Sequence, residues 1–396
     1  MRGGSSGGAG PVSASDPSDH RHFGFETAGS PGGTSYGNTL LLHSDPVELL
    51  TQILTQIRSA KARVWIELYI LDSDSVGRLV IHEVESAALR GCDVVLLLDG
   101  WGSRRFSRRV RDRLLRAGVR VCYFNPVFPW TTPGRRVDSV LHRDHRKVVL
   151  VDDAAFVGGR NISKDYLGDK PIFFDLNLEV RGPAVYDIAT VVADGVRQSI
   201  GVDLNLPERQ AAGPDDCRTS VLELDQRSGF PDLDRAIQSS VETATRSVSI
   251  ITPYFVPPRW FLDAIGRALS RGVRVRILTA GKSDVPMATS AGRHIYSELL
   301  AVGAEIFEMR NIILHAKSVV IDDRICVVGS YNIDAYGSRH NLELGVASVS
   351  SVLAAQLESV FDSSIPASAA VSASEWRRRP ALSRFIDWLS WRVYRV

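Results

Sequence analysis

Leu141-His-Arg-Asp-His-Arg-Lys-Val-Val-Leu-Val-Asp152 decides how this chain is read. Its spacing of a histidine, a lysine two on and an aspartate five further returns as His315-Ala-Lys-Ser-Val-Val-Ile-Asp322. From average residue usage, even one His-x-Lys-x4-Asp match is expected only ~0.02 times in such a chain. Two copies therefore point to an internal duplication. In each copy the histidine and lysine alternate as on a strand and share a face. The apolar runs Val148 to Val151 and Ser318 to Ile321 continue that strand into a core.

The surroundings repeat as well. Leu49, Leu50, Ile53, Leu54 and Ile57 fall at helical spacing, and Val64 to Ile70 reads as a strand. Val80, Ile81, Val84 and Ala88 form a helical face closed at Arg90-Gly91, and Val94 to Leu98 is a second strand. The order then begins again with helix Leu233 to Val241, strand Val248 to Phe255, helix Trp260 to Leu269 and strand Val273 to Leu278. Ala60 to Ile70 corresponds to Ala244 to Tyr254, Gly91 to Gly272, and Gly118 to Gly303. Strand and helix alternate, so the class is α/β with mixed or parallel sheets. Periodicity breaks between Gly201 and Thr219, the natural crossing from one half to the other.

Each motif leads through a turn to a second strand ending in Gly158-Gly-Arg-Asn161 or Gly329-Ser-Tyr-Asn332. Glycine there lets backbone N–H groups approach a phosphate, and the Asn161 and Asn332 amides add donors. An acidic residue recurs at a matching distance, with Asp175 thirty residues after His145 and Glu343 twenty-eight after His315. A carboxylate that accepts the Nδ1 proton fixes a histidine's tautomer and raises the basicity of Nε2, which a nucleophilic imidazole requires. His43, His82 and His340 stand in no such context and read as ordinary structural histidines.

Composition bounds the rest. The length of 396 residues suits two domains, and a net charge of +2 is no signature of a polyphosphate binder. Cys92, Cys122, Cys217 and Cys326 are too dispersed for a zinc site or a disulfide framework. No apolar run is long enough to span a membrane, and no signal peptide opens the chain. Residues 1–38, with ten Gly and seven Ser, read as a disordered leader in which His20 and His22 ligate nothing. Gly100-Trp-Gly-Ser-Arg-Arg-Phe106 reads as opening a helix with arginines at 104, 105, 108, 109, 111, 113 and 116. That helix is either a solvated basic face or a surface for lipid head groups or nucleic-acid phosphates. The loop Asn125 to Gly134, rich in Pro and aromatics, suits a site entrance.

The chain resembles the phospholipase D superfamily, whose HxKxxxxD motif occurs twice in bilobal members and builds one site at the lobe interface. Gly100 to Ser103, His142 to Lys147, Phe156 to Ser163 and Val328 to Asp334 resemble the bacterial cardiolipin synthase branch, without its N-terminal spanning helices. The resemblance implies two similar α-β-α lobes with mixed sheets related by a pseudo-twofold. The expected division is 1–38 leader, 39–205 first lobe, 206–366 second lobe and 367–396 basic tail. It also implies a phosphohistidine mechanism in which His145 attacks phosphorus and His315 protonates the leaving alkoxide. Lys147, Lys317, Asn161 and Asn332 would hold the phosphoryl oxygens, with the Ser330 hydroxyl adding a donor. Asp152 and Asp322, at strand ends, would be structural, and no metal or other cofactor would be required.

The implied reaction is phosphatidyl transfer that forms cardiolipin from phosphatidylglycerol with release of glycerol. Phospholipase or nuclease hydrolysis at the same site is the alternative, and a non-catalytic lipid- or nucleic-acid-binding module is a third. An anionic phospholipid is the expected substrate, with nucleic acid the less favoured partner. The expected location is cytoplasmic, peripheral to the inner membrane. The tail supplies the contact: Leu382, Phe385, Ile386, Leu389, Val393 and Val396 fall on one helical face after Trp376-Arg-Arg-Arg379. Arg377, Arg378, Arg379, Phe385, Trp388 and Trp391 are the expected membrane-binding residues, unless the stripe packs on the body.

Overall fold

The computed structural model describes residues 34–126, 141–213, 217–225 and 231–394. The first lobe holds strands β1 (Thr39–His43), β2 (Arg63–Leu68), β3 (Asp93–Asp99), β4 (Arg120–Phe124), β5 (Lys147–Val151), β6 (Ala154–Gly158) and β7 (Asn177–Arg181). They form one sheet in the order β1-β7-β6-β5-β2-β3-β4. The second lobe holds β8 (Arg218–Leu224), β9 (Ser247–Ile251), β10 (Arg274–Ala280), β11 (Glu305–Met309), β12 (Ser318–Ile321), β13 (Ile325–Gly329) and β14 (Asn341–Val349). Their order, β8-β14-β13-β12-β9-β10-β11, is the same path. Parallel pairs also match, β2–β3–β4 against β9–β10–β11, with every other neighbour antiparallel. Topology thus repeats the duplication seen in sequence.

The helices repeat in step. α1 (Pro46–Ser59), α2 (Ser75–Leu89), α3 (Arg108–Arg116) and α4 (Ala184–Ile200) answer to α5 (Asp232–Thr243), α6 (Arg259–Ser270), α7 (Pro286–Ala301) and α8 (Ser351–Ser364). Asp45 and Asp74 cap α1 and α2 by accepting from backbone N–H groups of the first turn. Helices α1 to α3 cover the outer face of the first sheet with Leu49, Ile57, Val80 and Leu114, and α5 to α7 cover the second with Leu233, Ile265 and Tyr296. Between the sheets, α4 and α8 share one continuous core built from both lobes, in which Val185 and Ile188 join Val221, Val328, Leu344 and Phe361. The lobes are therefore fused through apolar surface as well as through their polar site.

Several boundaries differ from expectation. Thr34–Ser35 pairs with β8 of the second lobe, and the Asn38 side chain accepts from the Ala184 amide, so the end of the expected leader belongs to the body. Ser368–Ala370 pairs with β11, which moves the start of the tail past residue 370. Residues 100–106 form turns rather than the opening of a helix. The buried Asp99 carboxylate accepts from the Trp101 and Gly102 amides and holds the chain in a turn until α3 starts at Arg108. Residues 1–33 with His20 and His22, the loop residues 127–134, Arg395 and Val396 lie outside the described residues.

Candidate active site

Asp152 and Asp322 occupy the hairpins β5–β6 and β12–β13 with φ of 47° and 53°, a left-handed conformation that Asp tolerates better than most residues. Their carboxylates accept from the amides of Lys61, Ala62 and Arg63, and from those of Thr245, Arg246 and Ser247, respectively. Each aspartate thus ties the strand bearing the motif to the start of its central neighbour. Neither carboxylate contacts a motif histidine.

The two residues before each histidine leave their own sheet and pair in parallel with the other lobe. Arg143–Asp144 pairs with Asn341–Leu342, and Ile313–Leu314 pairs with Phe173–Phe174. One step further along each register, His145 stands beside Glu343 and His315 beside Asp175. The His145 amide donates to Leu342 O at 2.9 Å, and the His315 amide to Phe174 O at 2.8 Å. His145 Nδ1 lies 2.9 and 3.1 Å from the Glu343 oxygens, and His315 Nδ1 lies 2.6 Å from Asp175 Oδ2. The matching distances in sequence suggest that each acid serves the histidine of its own half, but the structure exchanges them. Each lobe orients the other lobe's imidazole.

Both acids are wholly buried. Burial alone would raise the Asp175 pKa, but Lys317, His315 and Arg160 around it bring it below its usual range. Both histidines are lowered, chiefly by burial, with the lysines of both motifs adding to the effect; His315 falls to about 4. Lys317 Nζ is 2.8 Å from His315 Nδ1, so its charge opposes protonation of that ring. Burial, with the neighbouring Lys317, also lowers Lys147 to about 7. Each motif feels the other's charge, as one composite site requires.

Asn161, Asn332 and Ser330 are buried beside the motifs. Asn161 Oδ1 accepts from the Ile70 amide and its side chain hydrogen-bonds to the Tyr166 phenol, and among the described residues Asn332 Oδ1 has no hydrogen-bond partner. Ser330 departs from expectation. Its hydroxyl donates to Glu343 Oε2 and accepts from the Leu344 amide, so it braces the acid instead of pointing a free donor at a phosphate. At the matching place in the first half stands Gly159, where a Cβ atom would lie 2.2 Å from Asp175 Oδ1.

Sequence reading missed three sets of residues. Tyr69 meets the His145 ring edge-on at 5.1 Å, and Tyr166 and Phe173 meet His315 at 5.1 and 5.5 Å. The Tyr166 hydroxyl is 3.5 Å from His315 Nε2. Arg146, between the motif's histidine and lysine, makes buried ion pairs with Glu67 at 2.7 Å, Asp144 at 3.1 Å and Glu223 of the second lobe at 3.1 Å. Asp99 accepts from the Asp144 amide and faces Arg143, fastening the cross-lobe strand. Scattered acids and aromatics carry no spacing signal, so only the fold assembles them.

The tail also departs in part from expectation. α9 (Ala373–Arg377) leads to α10 (Ala381–Tyr394). Arg377, Arg378, Phe385 and Trp388 are exposed, but Arg379 pairs with Asp387 at 2.8 Å and lies over the Trp376 ring, while Trp391 packs on His294 of α7. Arg379 is thus engaged within the tail and Trp391 with the body. No helix among the described residues is long and apolar enough to cross a membrane, and none of their His, Cys, Asp and Glu side chains group in a way that could hold a metal ion.

The sequence model of the family described as "Cardiolipin synthase, PLD-like domain" matches residues 53–189 and 237–365. The chain is 28% identical to cardiolipin synthase 1 of Bacillus cereus over 374 residues, covering 91% of this chain and 72% of that protein. It is 29% identical to cardiolipin synthase B of Escherichia coli over 330 residues, covering 78% and 76%. Among solved structures, phosphatidylserine synthase of Haemophilus influenzae superposes with a TM-score of 0.71 at 17% identity, covering 90% of this chain and 95% of that one, a likeness of fold.

Proposed function

Because the chain belongs to the cardiolipin synthase, PLD-like domain family, we propose that it is a phosphatidyltransferase that makes cardiolipin from two molecules of phosphatidylglycerol. The observation that carries this reading is the pair of imidazoles, each held at Nδ1 by a buried carboxylate of the opposite lobe. Nδ1 donates to the acid, so Nε2 presents its lone pair to the site.

In our reading His145 Nε2 attacks the donor's phosphorus. The P–O bond to the glycerol headgroup breaks in line, and His315 delivers a proton to the departing alkoxide. The phosphatidyl group is then held on His145 by a P–N bond. The acceptor's hydroxyl gives its proton to His315, its oxygen attacks phosphorus, and the P–N bond breaks to release cardiolipin. A proton must therefore reside on His315 when substrate is bound. The phosphodiester's negative charge favours that form, because it offsets the lysine charges that depress the ring. Lys147, Lys317, Asn161 and Asn332 hold the phosphoryl oxygens through both steps. Glycerol is the leaving group, and water competes with the second lipid for the intermediate.

Such a substrate resides in a bilayer, so the reading includes peripheral contact with the cytoplasmic face of the inner membrane. Phosphatidylglycerol vesicles with the purified chain are expected to yield cardiolipin and glycerol in equal amounts. Phosphatidic acid as the sole product would overturn transfer in favour of hydrolysis, and cleavage of single-stranded DNA without lipid turnover would overturn the lipid assignment.

A further inference from the structure

α10 is docked the wrong way round for a helix that merely completes a core. A surface helix normally buries its apolar stripe and exposes its polar side. Here the inward side carries Asp387, which is 5% exposed and paired with Arg379, together with Trp391 against His294. The outward side carries Leu382, Phe385, Ile386, Trp388, Leu389 and Val393, all 43–69% exposed. These residues recur at three- and four-residue spacing and form a continuous stripe. The helix already has its partner, α7, so the stripe does not serve the packing of this chain on itself.

The charge around the stripe is mainly positive, with Glu375 the exposed acid at its approach. Arg384 and Arg392 are exposed on α10, and Arg377 and Arg378 are exposed at its approach. The only acid of α10 is Asp387, which is turned inward. A stripe of Phe, Trp, Leu, Ile and Val bordered by arginines complements the interfacial layer of an anionic bilayer, where apolar side chains enter the acyl boundary and cations meet phosphate. Two copies meeting stripe to stripe would instead bring these arginines together. The helix also reaches the site: the Tyr394 ring lies 6.0 Å from that of Tyr336, in the short helix that follows Asn332 and Asp334. Asp334 and Asp284 bear on both Tyr394 and the motif lysine Lys317.

We propose that the outward face of α10 is the docking surface of this chain for an anionic membrane, and that it lies flat in the interface and sets the composite site against the bilayer that holds its lipid. The surface stands by itself, whereas its link to turnover rests on the phosphatidyl-transfer reading.

The test uses the full chain and two variants that leave the packed side intact, Phe385→Ser/Trp388→Ser/Leu389→Ser and Arg384→Glu/Arg392→Glu. Sedimentation with vesicles of phosphatidylglycerol and phosphatidylcholine, or of phosphatidylcholine alone, reads binding. The apolar variant is expected to lose about tenfold or more in partitioning to anionic vesicles. The charge reversal is expected to lose a similar amount on anionic vesicles and little on neutral ones. Turnover of phosphatidylglycerol in detergent micelles should stay within about twofold for both, with unchanged melting, while turnover on vesicles falls with binding. Wild-type-like vesicle binding by the apolar variant would overturn the proposal. So would a wild-type dimer in sedimentation velocity that the apolar variant abolishes, which would make the face a contact between copies. A wild-type chain that binds anionic vesicles through this face but transfers nothing in micelles would overturn the proposed reaction and leave the surface standing.

Discussion

His145 and His315 occupy equivalent places in two lobes of one topology, yet their neighbourhoods are not copies. Glu343 reaches His145 and is braced by Ser330, whereas Asp175 reaches His315 with Gly159 behind it. A longer acid with a serine and a shorter acid with a glycine are two solutions to the same spacing. The rings differ in access too. The His315 side chain is 5% exposed, walled by Tyr166 and Phe173 and close to Lys317, whereas His145 is 13% exposed and meets one tyrosine edge. The two halves share a frame and differ around the rings, and in the proposed mechanism the more open imidazole attacks while the enclosed one transfers the proton.

The largest expected effects test that division directly. Loss of the nucleophile in His145→Ala should reduce kcat below detection, on the order of 10³-fold or more. His315→Ala should cost about 10²- to 10⁴-fold on phosphatidylglycerol, but far less on a phosphodiester whose leaving group needs no proton. With such a substrate, phosphohistidine should accumulate in His315→Ala and map to residue 145 by peptide mass analysis. Its appearance at residue 315 in His145→Ala would reverse the assignment.

Next come the acids. Asp175→Asn and Glu343→Gln should each lower kcat by roughly 10- to 100-fold, with KM less affected, because an amide no longer fixes the tautomer of the opposite lobe's histidine. Gly159→Ser should resemble Asp175→Asn, since its Cβ would fall on the Asp175 carboxylate. If Asp175→Asn suppressed phosphohistidine formation at residue 145 while Glu343→Gln left it intact, the acids would be serving their own halves, and the cross-lobe pairing would be wrong.

Much of this was legible in one dimension. The paired motifs, the matching glycines at 91 and 272 or 118 and 303, and the repeated helix and strand periods all reflect local constraints, and local constraints leave spacing behind. The exchange of Asp175 and Glu343 does not. Both acids sit at nearly the same distance from the nearer histidine, and the partner is decided by two short parallel pairings between lobes, Arg143–Asp144 with Asn341–Leu342 and Ile313–Leu314 with Phe173–Phe174. Ser330 looked like a phosphate donor because its place beside Asn332 is visible, whereas the carboxylate that engages its hydroxyl is visible only in the fold. The stripe of α10 was legible, but the side on which it docks was not, because amphipathic periodicity names a face without naming its partner.

pH should expose the part played by Lys147. The reaction needs a neutral His145 and a protonated His315, and both rings are lowered in the free protein, His315 to about 4, so kcat/KM should peak below the ordinary histidine value of 6.5 and fall on either side. Lys147, lowered to about 7, must keep its proton to hold a phosphoryl oxygen in the proposed mechanism, so the basic limb should steepen as pH rises through that value, by about a further tenfold for each pH unit. Lys147→Arg, which does not deprotonate in this range, should shift the basic limb upward even though its planar head lowers the maximum. A basic limb unmoved by that substitution would belong to another group.

Tyr166→Phe should give the smallest effect and examine the comparison most finely. The Tyr166 phenol is held protonated by burial and lies 3.5 Å from His315 Nε2, near the outer limit of a hydrogen bond. With Nδ1–H committed to Asp175, Nε2 carries the lone pair, so the phenol donates to it and stabilises the neutral ring. Removing the hydroxyl should raise the His315 pKa, the reverse of what burial and Lys317 do. The acid form would then be easier to reach, while one contact that aims the ring would be lost. Those effects oppose, so kcat should change by roughly two- to fivefold, with an upward shift of the His315 titration in nitrogen-15 NMR. A shift at His145 instead would mean that the enclosed and open rings had been assigned to the wrong lobes.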